Sequence, residues 1–232
     1  MTQSDFIPII VMYALLIPSA AVFMYCKSKS MWLLATVFKG LSTWIIIGGA
    51  LVLAMGSQLN LFTVLIIAGL AMGLAGDVAL SLPAHGLRSG MLFFALGHVC
   101  AVIAMFFALG TVTFIPLPIA VALFVLLMFV QRKLGVSPPD NLRIPVIAYT
   151  AIISCMLALA LVMPFYIFPN GLILLFAGLV FTVSDLALAI NSFPKQSSSD
   201  DKGSNAAKST VFSLSCYFLG QSLFAVSVFF FG

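Results

Sequence analysis

The chain has 232 residues, of which 63% are hydrophobic and only 7% charged. A soluble domain carries about 25% charged residues, so this composition excludes an ordinary water-soluble domain and points to a polytopic membrane protein. The net charge of +4 is small and sits mostly in loops, which argues against nucleic acid as a partner.

A membrane-spanning helix needs about 20 mostly apolar residues. Eight such runs are predicted, at 5–26, 31–55, 59–82, 89–109, 112–131, 143–164, 169–193 and 208–231. The fold class is therefore an all-α membrane bundle, taken as one domain over 1–232 without a soluble part. The N-terminal MTQSDFIPII lacks the basic segment of a signal peptide, so the first run reads as a retained span. The breaks have visible causes: CKSKS is charged, GSQLN is polar, and LPAHGLRSG holds Pro83, Gly86 and Arg88. QRKLGVSPPDNLR is a charged loop with prolines, Asn170-Gly171 opens the seventh run, and PKQSSSDDKGSNAAK reads as a flexible Ser-rich loop. Pro8, Pro116, Pro118 and Pro145 lie near span starts, whereas Pro18 lies inside the first span, where a kink is expected.

Nine of the ten basic residues fall on one side of this arrangement: Lys27, Lys29, Arg88, Arg132, Lys133, Arg143, Lys195, Lys202 and Lys208. By the positive-inside rule that side is cytoplasmic, and both termini are then extracytoplasmic. The tenth, Lys39, lies within the second span, where it either snorkels to the surface or faces an aspartate. The four cysteines are scattered through apolar runs and form neither a disulfide framework nor a metal-ligand spacing.

There is no glutamate, and four of the six acidic residues (Asp5, Asp140, Asp200 and Asp201) belong to a terminus or loops. That leaves Asp77 and Asp185 in apolar runs. They sit in matched phrases, GLAGDVALSL and VFTVSDLALAI, each reading small-Asp-apolar-Ala-Leu, which hints at a duplicated four-helix unit. An ionised carboxylate at the bilayer centre costs roughly 2.5–3.5 kcal/mol on insertion scales, so two of them call for a purpose. At about 1.5 Å per residue, Lys39, Asp77, His98, Tyr149, Asp185 and Tyr217 all fall in one layer of the cytoplasmic half. Gly69, Gly73 and Gly76 leave one face of the third span nearly bare, so that a neighbour can approach closely.

Two carboxyl groups sharing a low-dielectric space divide into an acid and a base. With His98, Asp77 and Asp185 are the catalytic candidates, and a donor and a base facing one substrate suit acid-catalysed hydrolysis of an ether, acetal or glycoside-like bond. Three other readings stand beside this one. The polar residues can form a knot that only holds helices together, they can relay protons in a transporter or lipid carrier, or Asp77, His98 and Asp185 can bind a divalent metal. Ser184 lies about 100° round the helix from Asp185, which disfavours a triad of Ser184 and Asp185 with His98. His85 reads as a solvated loop residue.

The segments FKGLSTWIII, GLAGDVALSLP, FFALGHVC, FTVSDLALAINSF and CYFLGQSL, in this order and spacing, resemble the YhhN family of membrane proteins over nearly the whole chain. The resemblance implies eight helices and lysoplasmalogenase activity: hydrolysis of the vinyl ether of a lysoplasmalogen to a fatty aldehyde and glycerophospho-ethanolamine or -choline. By the same resemblance Lys39, Tyr149, Ser184, Tyr217 and Gln221 bind substrate, with Asp77, His98 and Asp185 beside them; no cofactor or metal is expected. The partners it implies are a lysophospholipid substrate and membrane lipids, and the place is the cytoplasmic membrane if the source is bacterial. Gly40 stands where the family pattern usually has a proline after the lysine. A vinyl ether lies just below the headgroup of a lysolipid, which matches the depth of the polar layer.

Overall fold

A computed structural model of the chain describes residues 6–56, 59–81, 86–193 and 202–232. These form eight helices: α1 (Ile7–Ser28), α2 (Trp32–Met55), α3 (Leu61–Leu80), α4 (Gly86–Leu109), α5 (Pro116–Lys133), α6 (Asp140–Tyr166), α7 (Gly171–Ser192) and α8 (Lys202–Phe231). Every one contains a stretch long and apolar enough to cross a membrane. Helix is the expected solution, because hydrocarbon offers no partner for a backbone N–H or C=O outside the segment itself. Large apolar side chains are also widely exposed. On α5 only Ala120 is buried, while Leu117, Val121, Val125 and Phe129 face outward. A water-soluble surface does not carry such a face, and lipid is the solvent that suits it.

The helix ends follow local chemistry, with some departures from the sequence reading. Asn60 caps α3, its side chain accepting from the Thr63 N–H at 2.9 Å. Helix α6 begins at Asp140, so Pro145 and Arg143 lie inside it rather than at its edge. Helix α8 begins at Lys202, within the stretch expected to be a loop, where Ala206 and Ala207 favour helix. Pro18 lies inside α1, as the sequence places it. His85 lies outside the described residues.

The chain divides into two compact units: Met1–Gly110 with Gln221–Gly232, and Thr111–Gly220. In the first, α1 packs on α2, α2 on α3, and α3 on α4. The α3–α4 contact is close because glycine faces glycine: a Cβ on Gly69 would stand 3.1 Å from the Gly97 carbonyl oxygen. The end of α8 is fastened there by Tyr13 to Ser222 at 3.0 Å and by Asn60 to the Phe231 carbonyl. In the second unit, α6 packs on α5 and on α7. Gly178 allows that α6–α7 approach, since a Cβ there would stand 2.7 Å from the Ala160 methyl.

Candidate functional site

In the first unit the second and third helices carry the polar group. Asp77 is on the last part of α3 and is 1% exposed, and Lys39 is near the start of α2. The Lys39 Nζ is 2.8 Å from Asp77 Oδ1, and the Lys39 side chain is only 13% exposed. The lysine therefore points to the aspartate and does not snorkel. One turn on from Lys39, Thr43 donates its hydroxyl to Asp77 Oδ2 at 2.7 Å. Both carboxylate oxygens thus have a partner from α2, an ammonium on one and a hydroxyl on the other. Burial of a charge in low dielectric requires such a pairing. Gly40 lies inside an unbroken α2, and a Cβ there would meet only Leu74, at 3.9 Å. The family's proline is thus absent without a break in the helix that carries Lys39.

His98 is buried on α4, the helix that packs most closely on α3. Gln221 is buried on α8, beside the Ser222 that bonds Tyr13.

In the second unit the third and second helices again meet through an aspartate. Asp185 on α7 is 8% exposed and hydrogen-bonds with the Tyr149 side chain from α6. The next residue, Thr150, accepts a hydrogen bond from the Gln131 side-chain amide of α5 at 3.0 Å. Ser184 turns away to α8: it donates to the Ser213 carbonyl at 2.9 Å, and Ser213 donates to the Ser184 carbonyl at 3.1 Å. This reciprocal pair occupies the Ser184 hydroxyl and pins α7 to α8. Tyr217, buried on α8, sets its ring edge-on to Phe181 of α7 at 5.7 Å.

Of the residues singled out in the sequence, the structure brings Lys39 to Asp77 and Tyr149 to Asp185. Among the described residues no group of three His, Cys, Asp or Glu side chains is placed to hold a metal ion. All four cysteines are free, and Cys155 is exposed rather than packed in the core. The sequence reading missed Thr43. Its signal was present, because a residue four beyond Lys39 shares its helix face, but threonines in apolar helices more often bond their own backbone. Thr150 is hidden for the same reason, since its hydroxyl also bonds the Val146 carbonyl of its own helix.

The profile of the YhhN family matches residues 34–228. The chain belongs to the YhhN family. That family is associated with hydrolase activity. No curated relative and no solved structure matches the chain at a significant level.

Proposed function

We propose that this YhhN-family chain is an intramembrane hydrolase that cleaves the vinyl ether of a lysoplasmalogen, releasing a fatty aldehyde and glycerophospho-ethanolamine or -choline. The observation that carries the reading is the pair of buried aspartates in apolar helices, each held by a dedicated partner. Structural padding needs neither, since an apolar residue in each place avoids the burial cost. The family's hydrolase association supports the class of reaction.

The partners suggest the roles. Asp77, its charge balanced by Lys39, is the base. Asp185, with a phenol as partner, is the proton donor. Asp185 protonates the β-carbon of the vinyl ether and leaves an oxocarbenium ion. Water adds to that ion and gives its proton to Asp77. In the collapse of the hemiacetal, its hydroxyl proton returns to Asp185, and Asp77 protonates the departing glycerol oxygen. The sum is one water consumed, one aldehyde and one alcohol formed, with both carboxyls restored. The proposal requires both carboxyls to act on one lipid. His98, Tyr149, Tyr217 and Gln221 supply the polar lining.

The chain is placed, on the same footing, in the cytoplasmic membrane of a bacterial source, with the reaction in the cytoplasmic half and both termini outside. Reporter fusions at Gly232 and within 197–199 should then read opposite sides. Equal readings overturn that topology. The activity is tested by giving purified protein in detergent a panel of lysolipids and measuring free aldehyde. Aldehyde from the vinyl-ether lipid alone supports the proposal. Transport or binding without aldehyde makes the protein a carrier and ends it.

A further inference from the structure

A cavity of about 490 Å³ lies in the second unit, between the C-terminal end of α5, the α5–α6 loop and the first turns of α6. Sites for small ligands run from about 300 to 1,000 Å³. Its walls are of two kinds. Arg132, Arg143, Gln131 and Ser137 give the polar side, while Met128 and Ile147 belong to the apolar one.

The wall is built by the fold and is not a gap in a loose loop. Helix α5 ends with Gly135 at φ +79°, a left-handed position that glycine adopts without steric cost. That turn is closed by Val136 N–H to the Gln131 carbonyl at 2.9 Å and Gly135 N–H to the Arg132 carbonyl at 3.3 Å. The loop is then tied to the end of α7, with the Ser137 N–H donating to the Phe193 carbonyl at 3.0 Å. Gln131 is held by Thr150 on α6.

We infer that this cavity binds the phosphate group of an anionic phospholipid. Arg132 and Arg143 line it from two helices, and guanidinium is the side chain that matches phosphate oxygens in pairs. Among the described residues the lining carries no carboxylate to receive a headgroup cation. Asp140 meets one nitrogen of Arg143 at 3.0 Å, and a guanidinium with five N–H donors keeps capacity beyond that contact. Basic pockets between membrane helices suit lipid phosphates, and the apolar wall continues along α5 from Met128 to the outward-facing Val125, three residues before it. A free phosphate has no use for that wall, which is why the lipid is chosen. The inference rests on this cavity and not on the vinyl-ether reaction.

The neighbouring Lys133 supplies the control. It carries the same charge at the same helix end, but it is not part of the lining and lies over the Phe129 ring at 5.5 Å. Delipidated full-length protein in mild detergent is titrated with dioleoyl-phosphatidylglycerol, and bound lipid is counted by native mass spectrometry. Arg132→Gln/Arg143→Gln should weaken binding at least tenfold, Arg132→Gln alone should weaken it several-fold, and Lys133→Gln should stay within twofold. Both arginines are exposed, so the fold should survive, and a circular dichroism spectrum checks that. Unchanged binding in the double arginine variant overturns the inference. So does an equal loss with Lys133→Gln, which would make the effect general interface charge. Displacement of the lipid by inorganic phosphate at matched concentration overturns the lipid assignment.

Discussion

Asp77 and Asp185 stand in nearly the same words of sequence, yet the two units treat them differently. Asp77 has a lysine on one oxygen and a threonine on the other, both from α2. Asp185 has Tyr149 from α6. The residue before each aspartate differs as well. Gly76 lets the α4 helix come so near that a Cβ would stand 2.9 Å from the Phe94 ring. Ser184 spends its hydroxyl on Ser213 of α8. A cation balances the whole charge of a carboxylate, whereas a phenol offers a single hydrogen bond. One phrase thus sets its carboxylate against an ammonium and a hydroxyl, and the other sets its carboxylate against a phenol. In the reaction we propose, the same residue type serves as base in one place and acid in the other.

The comparison can be broken first at the aspartates. Asp77→Asn and Asp185→Asn each keep the shape and remove the proton traffic. General acid–base help is worth about 10²–10⁴-fold, so each should lower aldehyde release at least about a hundredfold. If the carboxyls act as a unit, the double variant should be hardly worse than the worse single one. A single variant that keeps more than about a third of the rate makes that aspartate structural. Multiplicative losses in the double variant mean that the two do not serve one substrate.

Next is the counterion. Lys39→Met takes the ammonium away from the buried Asp77 carboxylate, and removal of one partner of a buried pair costs about 3–5 kcal/mol. Thermal unfolding in detergent should show a large drop, and Lys39→Met/Asp77→Asn should recover most of it. No recovery in the double variant means that Lys39 acts apart from Asp77.

Thr43→Val is isosteric and takes away one donor to a charged group, worth about 1.5–3 kcal/mol. Its effect on unfolding should vanish in the Asp77→Asn background if the threonine works through that carboxyl. Tyr149→Phe removes one neutral donor and should be mildest, at about 1 kcal/mol of stability and at most about tenfold in rate. Should Tyr149→Phe cost as much as Lys39→Met, the two carboxyls are held equally and the contrast between the units collapses.

The sequence by itself determined the eight helices and, to within a few residues, where they lie. Span length is a one-dimensional property: about 20 apolar residues cross the hydrocarbon, and a charge or turn residue ends the run. It also picked out Asp77, Asp185 and Lys39, because a charge in an apolar run is costly enough to be visible without any neighbour. Helix α8 was read too short because polar serines hid the helix-forming Ala206 and Ala207. Only the tertiary structure decided who meets whom. Lys39 reaches Asp77, Tyr149 reaches Asp185 and Ser184 reaches Ser213 because of how each helix is rotated against its neighbour. Small residues let backbones approach in two helix pairs, α3 with α4 at Gly69 and Gly97, and α6 with α7 at Gly178 and Ala160. Hydropathy carries no information about the rotation, since every side of such a helix is apolar enough to face either lipid or protein. The arginine-lined cavity likewise needed the left-handed turn at Gly135 and the Ser137–Phe193 bond to exist at all. In the sequence those residues were a loop with positive charge, and only the fold makes the loop into a wall.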